Sequence, residues 1–111
     1  MSAGQPPIAC KLTEPELRQR RSGLLDEVRA WVTATRALPD EPGGPGPGFE
    51  LTFADGEAAL PEVLELVRLE SRCCPFLRFR LTVAPAGGPV VLEVTGPPGG
   101  AEILAAELLP G

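Results

Sequence analysis

Apolar residues recur at helical spacing in two long stretches of this chain and alternate with polar residues in three shorter ones. In the first stretch, Leu17, Leu24, Leu25, Val28, Trp31 and Val32 form a stripe lasting about five turns, all of it expected in the core. Thr13 with Glu16 makes a capping box, Leu12 with Leu17 a hydrophobic staple, and Pro15 is tolerated in a first turn. Gly23 weakens this helix by ~1 kcal/mol relative to alanine, which a close neighbour would explain. A second helix is predicted from about Ala58 to Cys74, with Leu60, Val63, Leu64, Val67, Ser71 and Cys74 on its buried stripe. Pro75 disfavours helical geometry at Cys74, so this helix ends there.

The alternating stretches read as strands. Phe49, Leu51 and Phe53 form the first; Leu77, Phe79, Leu81 and Val83 form the second; Val90 to Thr95 is apolar enough to be central. Ala86-Gly87-Gly88 turns a hairpin, and Gly96-Pro97-Pro98-Gly99 leads into a short last helix, Ala101 to Leu109. The order α-β-α-β-β-α predicts an α+β two-layer sandwich. Its sheet is three-stranded and antiparallel, in the order 1-3-2 of a ferredoxin-like split β-α-β unit, with helices mainly on one face. Residues 1–9 read as a flexible tail and 10–111 as a single domain, interrupted by a Pro/Gly linker at 39–48. The outer sheet face (Glu50, Thr52, Arg78, Arg80, Thr82, Val91 and Glu93) carries mixed charge, and is solvated or meets a second subunit in a homodimer.

Composition narrows the function. A net charge of −5 argues against a nucleic-acid partner, which a basic face would have to attract, and gives no attraction to anionic membranes. Met1 to Ala9 lack the pattern of a signal peptide, and no apolar run approaches the ~20 residues of a membrane span. The expected compartment is the cytoplasm, where thiols stay reduced, and three cysteines fit a disulfide framework poorly. The chain has no histidine and no tyrosine, so its thiols are the leading candidates for chemistry.

Cys73 and Cys74 are adjacent, with Pro75 behind them, where helix gives way to strand. Packing explains one buried cysteine well, but two side by side less well. Cys10 precedes the first helix, whose positive end favours thiolate. At a helix C-terminus the dipole acts on Cys73 and Cys74 in the opposite sense, unless Arg72, Arg78 or Arg80 compensates. If the two helices pack antiparallel, Cys10 stands beside the pair. Three thiolates suit Hg(II), As(III) or Cu(I). Zn(II) would need a fourth ligand such as Glu70, Glu14, water or a partner chain. The ligand is then a metal ion or a thiol-reactive small molecule; no organic cofactor is implied.

Two other readings use the same residues. The three thiols can exchange disulfides, making a redox enzyme. Alternatively Glu70, one turn before the pair, can supply the acid that cleaves a carbon–metal bond; the plainer account pairs it with a surface arginine. Arg18, Arg20, Arg21 and Arg29 read as a solvated face, offset by nearby acids. A dimeric interaction module with purely structural cysteines is the third class.

Ile8-Ala9-Cys10-Lys11-Leu12-Thr13, the run from Glu70 through Cys73-Cys74-Pro75-Phe76-Leu77, and Leu92 to Gly99 carry a resemblance. With its A-C-x-L-T start, C-C-P-F-L corner and T-G-P-x-G turn, the chain resembles a family of small, mostly uncharacterised bacterial proteins associated with heavy-metal resistance, mercury in particular. The resemblance covers nearly the whole chain outside the Pro39–Gly48 linker. It implies that Cys10, Cys73 and Cys74 belong to one site, without deciding between binding and catalysis.

Overall fold

The computed structural model describes residues 15–44 and 46–109. The tail 1–9, Cys10, Thr13 and Glu14 lie outside the described residues. The elements are α1 (Pro15–Trp31), β1 (Ala34–Leu38), β2 (Gly48–Phe53), α2 (Gly56–Cys73), β3 (Arg78–Val83), β4 (Val90–Thr95) and α3 (Gly100–Leu108). The fold is α+β, but the order is α-β-β-α-β-β-α and the sheet has four antiparallel strands, β1-β2-β4-β3. The expected three-stranded, ferredoxin-like sheet is therefore corrected by one edge strand. β4 does lie between β2 and β3, as the sequence order suggests. β1 escapes a reading based on alternation because Ala34, Thr35, Arg36 and Ala37 are all exposed and only Leu38 is half-buried. It is held by pairing with β2, from Ala34 opposite Thr52 to Leu38 opposite Gly48.

One sheet face carries Phe49, Leu51, Phe53, Val90, Leu92 and Val94, all buried beneath the helices. On the other face, Arg36, Glu50, Glu93 and Arg80 fall in one row across the four strands. Arg36 donates to Glu50 at 2.8 Å and Arg80 lies 3.6 Å from Glu93, so like charges at the centre are flanked by opposite ones. Val83, at the end of the β3 edge, is 54% exposed and does not join the core expected of it. Trp31, also expected in the core, is 36% exposed because α1 ends at that residue. Gly23 has no close neighbour, so no tight contact accounts for it.

The buried side of α2 runs through Ala59, Val63, Leu66, Glu70 and Cys73, spaced alternately by four and three residues. Leu64 is 49% exposed and Ser71 is exposed, so the stripe predicted through them is rotated. The reason is that α2 packs on both the sheet and α1, and the two contacts together select a different side of the helix. The helices run antiparallel: Arg21 pairs with Glu70 late in α2, whereas later residues of α1 face earlier ones of α2. Gly23 and Glu27 share a groove with the earlier Pro61 and Glu62. Among the described residues no helix is long and apolar enough to cross a membrane.

Gly48 is the first residue of the strand joining β1 to the core, and a Cβ there would collide with the Val94 carbonyl. Gly48→Ala is expected to lower stability by about 1–3 kcal/mol, as overpacking does. Urea denaturation checks this, and an unchanged midpoint contradicts the observed register.

Candidate metal centre

The corner is built by the backbone before any side chain is considered. Cys74 caps α2 with φ −125° and ψ 72°, outside helical geometry, as a residue preceding proline should be. Its N–H donates to the Glu70 carbonyl at 2.7 Å and closes the last helical turn. The Cys74 carbonyl then accepts from the Leu77 N–H at 3.1 Å, closing a tight turn through Pro75 and Phe76. The Phe76 ring packs over Gly100, where a Cβ would come 3.1 Å from the ring. The cysteine corner therefore lies against the start of α3.

Glu70, Cys73 and Cys74 meet inside this corner. Their ligand atoms all lie within 4.8 Å of one another, and the group can hold a metal ion. Exposure is 0% for Glu70, 2% for Cys73 and 1% for Cys74. The Sγ atoms are 3.4 Å apart, and Cys73 Sγ lies 3.5 Å from Glu70 Oε2. Cys74 is a free thiol, whereas Cys73 is disulfide-bonded. A disulfide sulfur has no proton, so Cys74 is the donor in the sulfur–sulfur contact. The Cys73–Glu70 approach becomes an S–H donation only on reduction.

Arg21 closes the site from α1. Its Nε donates to Glu70 Oε2 at 2.6 Å and its Nη2 to Oε1 at 2.8 Å, a two-point charge-assisted pair. The same guanidinium donates to both oxygens of Glu107 on α3. These bonds hold Arg21 protonated, Glu70 contributing most. Arg29 adds a second link, its Nη2 donating at 2.6 Å to the Glu107 carbonyl near the end of α3.

Burial pushes the Cys74 thiol up to about 11; the Glu70 charge acts in the same sense and Arg21 in the opposite one. Cys74 is thus a thiol near neutral pH and must lose a proton to bind a metal.

Of the sequence-predicted residues, the structure brings together Cys73, Cys74 and Glu70. Cys10 and Glu14 lie outside the described residues. Arg72, Arg78 and Arg80 are exposed, so the cation acting on Cys74 is Arg21 instead. Glu70 pairs with an arginine, but in the interior and not on the surface. The charge pattern of α1 predicts a solvated face for Arg21, yet its side chain is only 13% exposed. The signal was its place between Leu17 and Leu24 on the apolar stripe of α1, where an interior neighbour of opposite charge is required. Comparison with family models, curated proteins and solved structures gives no match.

Two outcomes follow from this geometry. Arg21→Ala leaves Glu70 buried without its cation and is expected to destabilise the fold by about 3–5 kcal/mol in chemical denaturation. The double change Arg21→Met with Glu70→Leu should recover most of that loss. In reduced protein, alkylation of Cys74 should accelerate about tenfold per pH unit until about pH 11, because only thiolate reacts. Mass mapping of the modified peptide checks it; a rate that levels off near pH 9 contradicts the burial effect.

Proposed function

We propose that this protein is a cytoplasmic binder of soft metal or metalloid ions, As(III) and Hg(II) before Cu(I) and Zn(II). Cys73 and Cys74 hold the ion, with Cys10 as the third thiolate. The observation that carries this reading is the convergence of two sulfurs and a carboxylate within 4.8 Å in a nearly solvent-free corner. Metal binding requires the Cys73 disulfide to be reduced first by a dithiol, which gives up two electrons and two protons and is itself oxidised to a disulfide.

The sulfur spacing supports an ordering among the ions. Two bonds of about 2.3 Å to sulfurs 3.4 Å apart enclose roughly 95°, close to the pyramidal angle of three-coordinate As(III). A linear two-coordinate ion such as Hg(II) would need the sulfurs about 4.6 Å apart at the same bond length. The course of the helices supports Cys10 as the third ligand. α1 runs antiparallel to α2, so its start at Pro15 lies toward the Cys73 end. Cys10 is five residues earlier, a reach of at most ~18 Å. The resemblance to a family associated with mercury resistance points the same way.

Thiol–disulfide exchange is the second reading, favoured by a free Cys74 sulfur 3.4 Å from a disulfide-bonded Cys73. Cys74 thiolate would attack Cys73 Sγ, forming a 73–74 bond and releasing the former partner as thiolate. Adjacent Cα atoms lie ~3.8 Å apart, below the usual disulfide span, so that product is strained. Carbon–metal cleavage by Glu70 is less well supported, because both its oxygens are engaged by Arg21.

The test titrates reduced protein with arsenite, Hg(II), Cu(I) and Zn(II), following sulfur-to-metal absorption and native mass. As(III) should bind one per chain, and Cys73→Ser and Cys10→Ser should each weaken it by about a hundredfold or more, the loss of one of three thiolates. Unchanged affinity in Cys10→Ser sinks the three-thiolate site. Failure to bind any ion, with a reversible disulfide of defined potential, favours exchange instead.

A further inference from the structure

We propose that the β3 edge is a docking surface for a second copy of this chain. β3 pairs antiparallel with the second copy's β3, with Leu81 on the two-fold axis, and the two four-stranded sheets become one continuous sheet.

The sheet ends at β1 on one side and at β3 on the other. An edge strand turns a row of backbone N–H and C=O groups outward, where another strand can pair with them. The two edges differ in what surrounds that row. On the helix side β1 offers only Thr35 and Ala37, opposite Leu51 and Phe49. β3 offers Phe79, Leu81 and Val83 there, opposite the buried Val94, Leu92 and Val90.

α2 extends the apolar surface. It lies over β3 and β4, with α1 along one flank, where Pro61, Glu62 and Glu65 line the groove between the helices. Leu60, Leu64 and Val67, one helical face by their spacing, fall on the other flank, with the sheet side between. That flank looks out past β3. Val83 at 54% and Leu64 at 49% are the two most exposed large apolar side chains among the described residues, and both lie on this strip. The outer sheet face is a poorer contact, because its Arg36–Glu50 and Arg80–Glu93 pairs already satisfy its central charges.

The occupant follows from the strand's own pattern. A two-fold axis normal to the sheet keeps the helix side of both copies on the same side, and a C2 contact must be self-complementary. With the axis at Leu81, Phe79 meets Val83 on the helix side and Arg80 meets Thr82 on the outer side. No arginine then opposes an arginine. An axis at Arg80 would set two like charges face to face, which is destabilising, and would leave Val83 beyond the paired residues. The run from Phe79 to Val83 is thus apolar and polar in the same order read from either end, and it fits itself.

Sedimentation velocity on the reduced full-length chain tests this; reduction excludes a dimer held by cysteine. Between about 1 μM and 1 mM it should show a monomer–dimer equilibrium with Kd on the order of 10–100 μM. Val83→Lys and Leu64→Lys change exposed positions, so circular dichroism should show both folded. Each enters the symmetric contact twice and should weaken it at least about tenfold. Thr82→Glu sets an acid opposite the second copy's Arg80 and should tighten the dimer about threefold or more. Thr35→Lys, on the β1 edge, should leave Kd within about twofold. A chain still monomeric at about 1 mM overturns the inference. So does a dimer that ignores both Val83→Lys and Leu64→Lys, or one broken by Thr35→Lys, which would place the contact at β1. Weakening by Thr82→Glu overturns the Leu81 register, and that variant decides the matter even if the lysine variants do not fold.

Discussion

A buried carboxylate has to be paired, and much of the helical layer follows from how Glu70 meets that need. Among the described residues its cation comes from α1, at Arg21, which in turn reaches α3 through Glu107. One guanidinium thus ties three helices that follow one another in the chain only at long intervals. The pair fixes how far α1 is slid along α2, since a shift of one turn would bury both charges unpaired. Apolar contacts between the helices supply adhesion without that selectivity. Leu24, Leu25 and Val28 are buried, but such side chains tolerate a neighbouring register better than an ion pair does.

The sulfur corner depends on the same constraint and on a second, local one. Pro75 stops α2 at Cys74 by steric exclusion, so the two sulfurs sit where a helix ends and the chain turns toward β3. Burial there keeps Cys74 protonated. A thiol held neutral until an ion displaces its proton is suited to a strongly thiophilic partner, whose bond to sulfur compensates for the deprotonation. It is less suited to a partner that binds weakly. Thiol chemistry in this corner therefore starts from a resting state of low reactivity.

The sequence made the three long strands and their relative order legible, because Phe49, Leu51 and Phe53 alternate cleanly and Val90 to Val94 is apolar. It concealed β1, whose Ala-Thr-Arg-Ala-Leu has no alternation to show: an edge strand with little burial is held by backbone pairing, which any residue but proline provides. For the site, adjacent cysteines before a proline were a clear signal. Glu70 and Arg21 were misplaced for one shared reason. Each is a charged residue on a buried helical seam, Ala59–Val63–Leu66–Glu70–Cys73 in one helix and Leu17–Arg21–Leu24–Val28 in the other. Read helix by helix, each looks like a surface residue. Only when the two seams face each other does their opposite charge account for both. The exposures of Leu64 and Trp31 have the same origin, since periodicity gives the width of a stripe more readily than its direction when a helix has two packing partners.

The near-complete enclosure of the two sulfurs also governs the rate at which anything reaches them. Sulfurs with exposures of 2% and 1% are reached only when the corner opens transiently, whatever the reagent is. The rate at which they are modified then reports how often the end of α2 opens, and anything that ties that helix end down slows it.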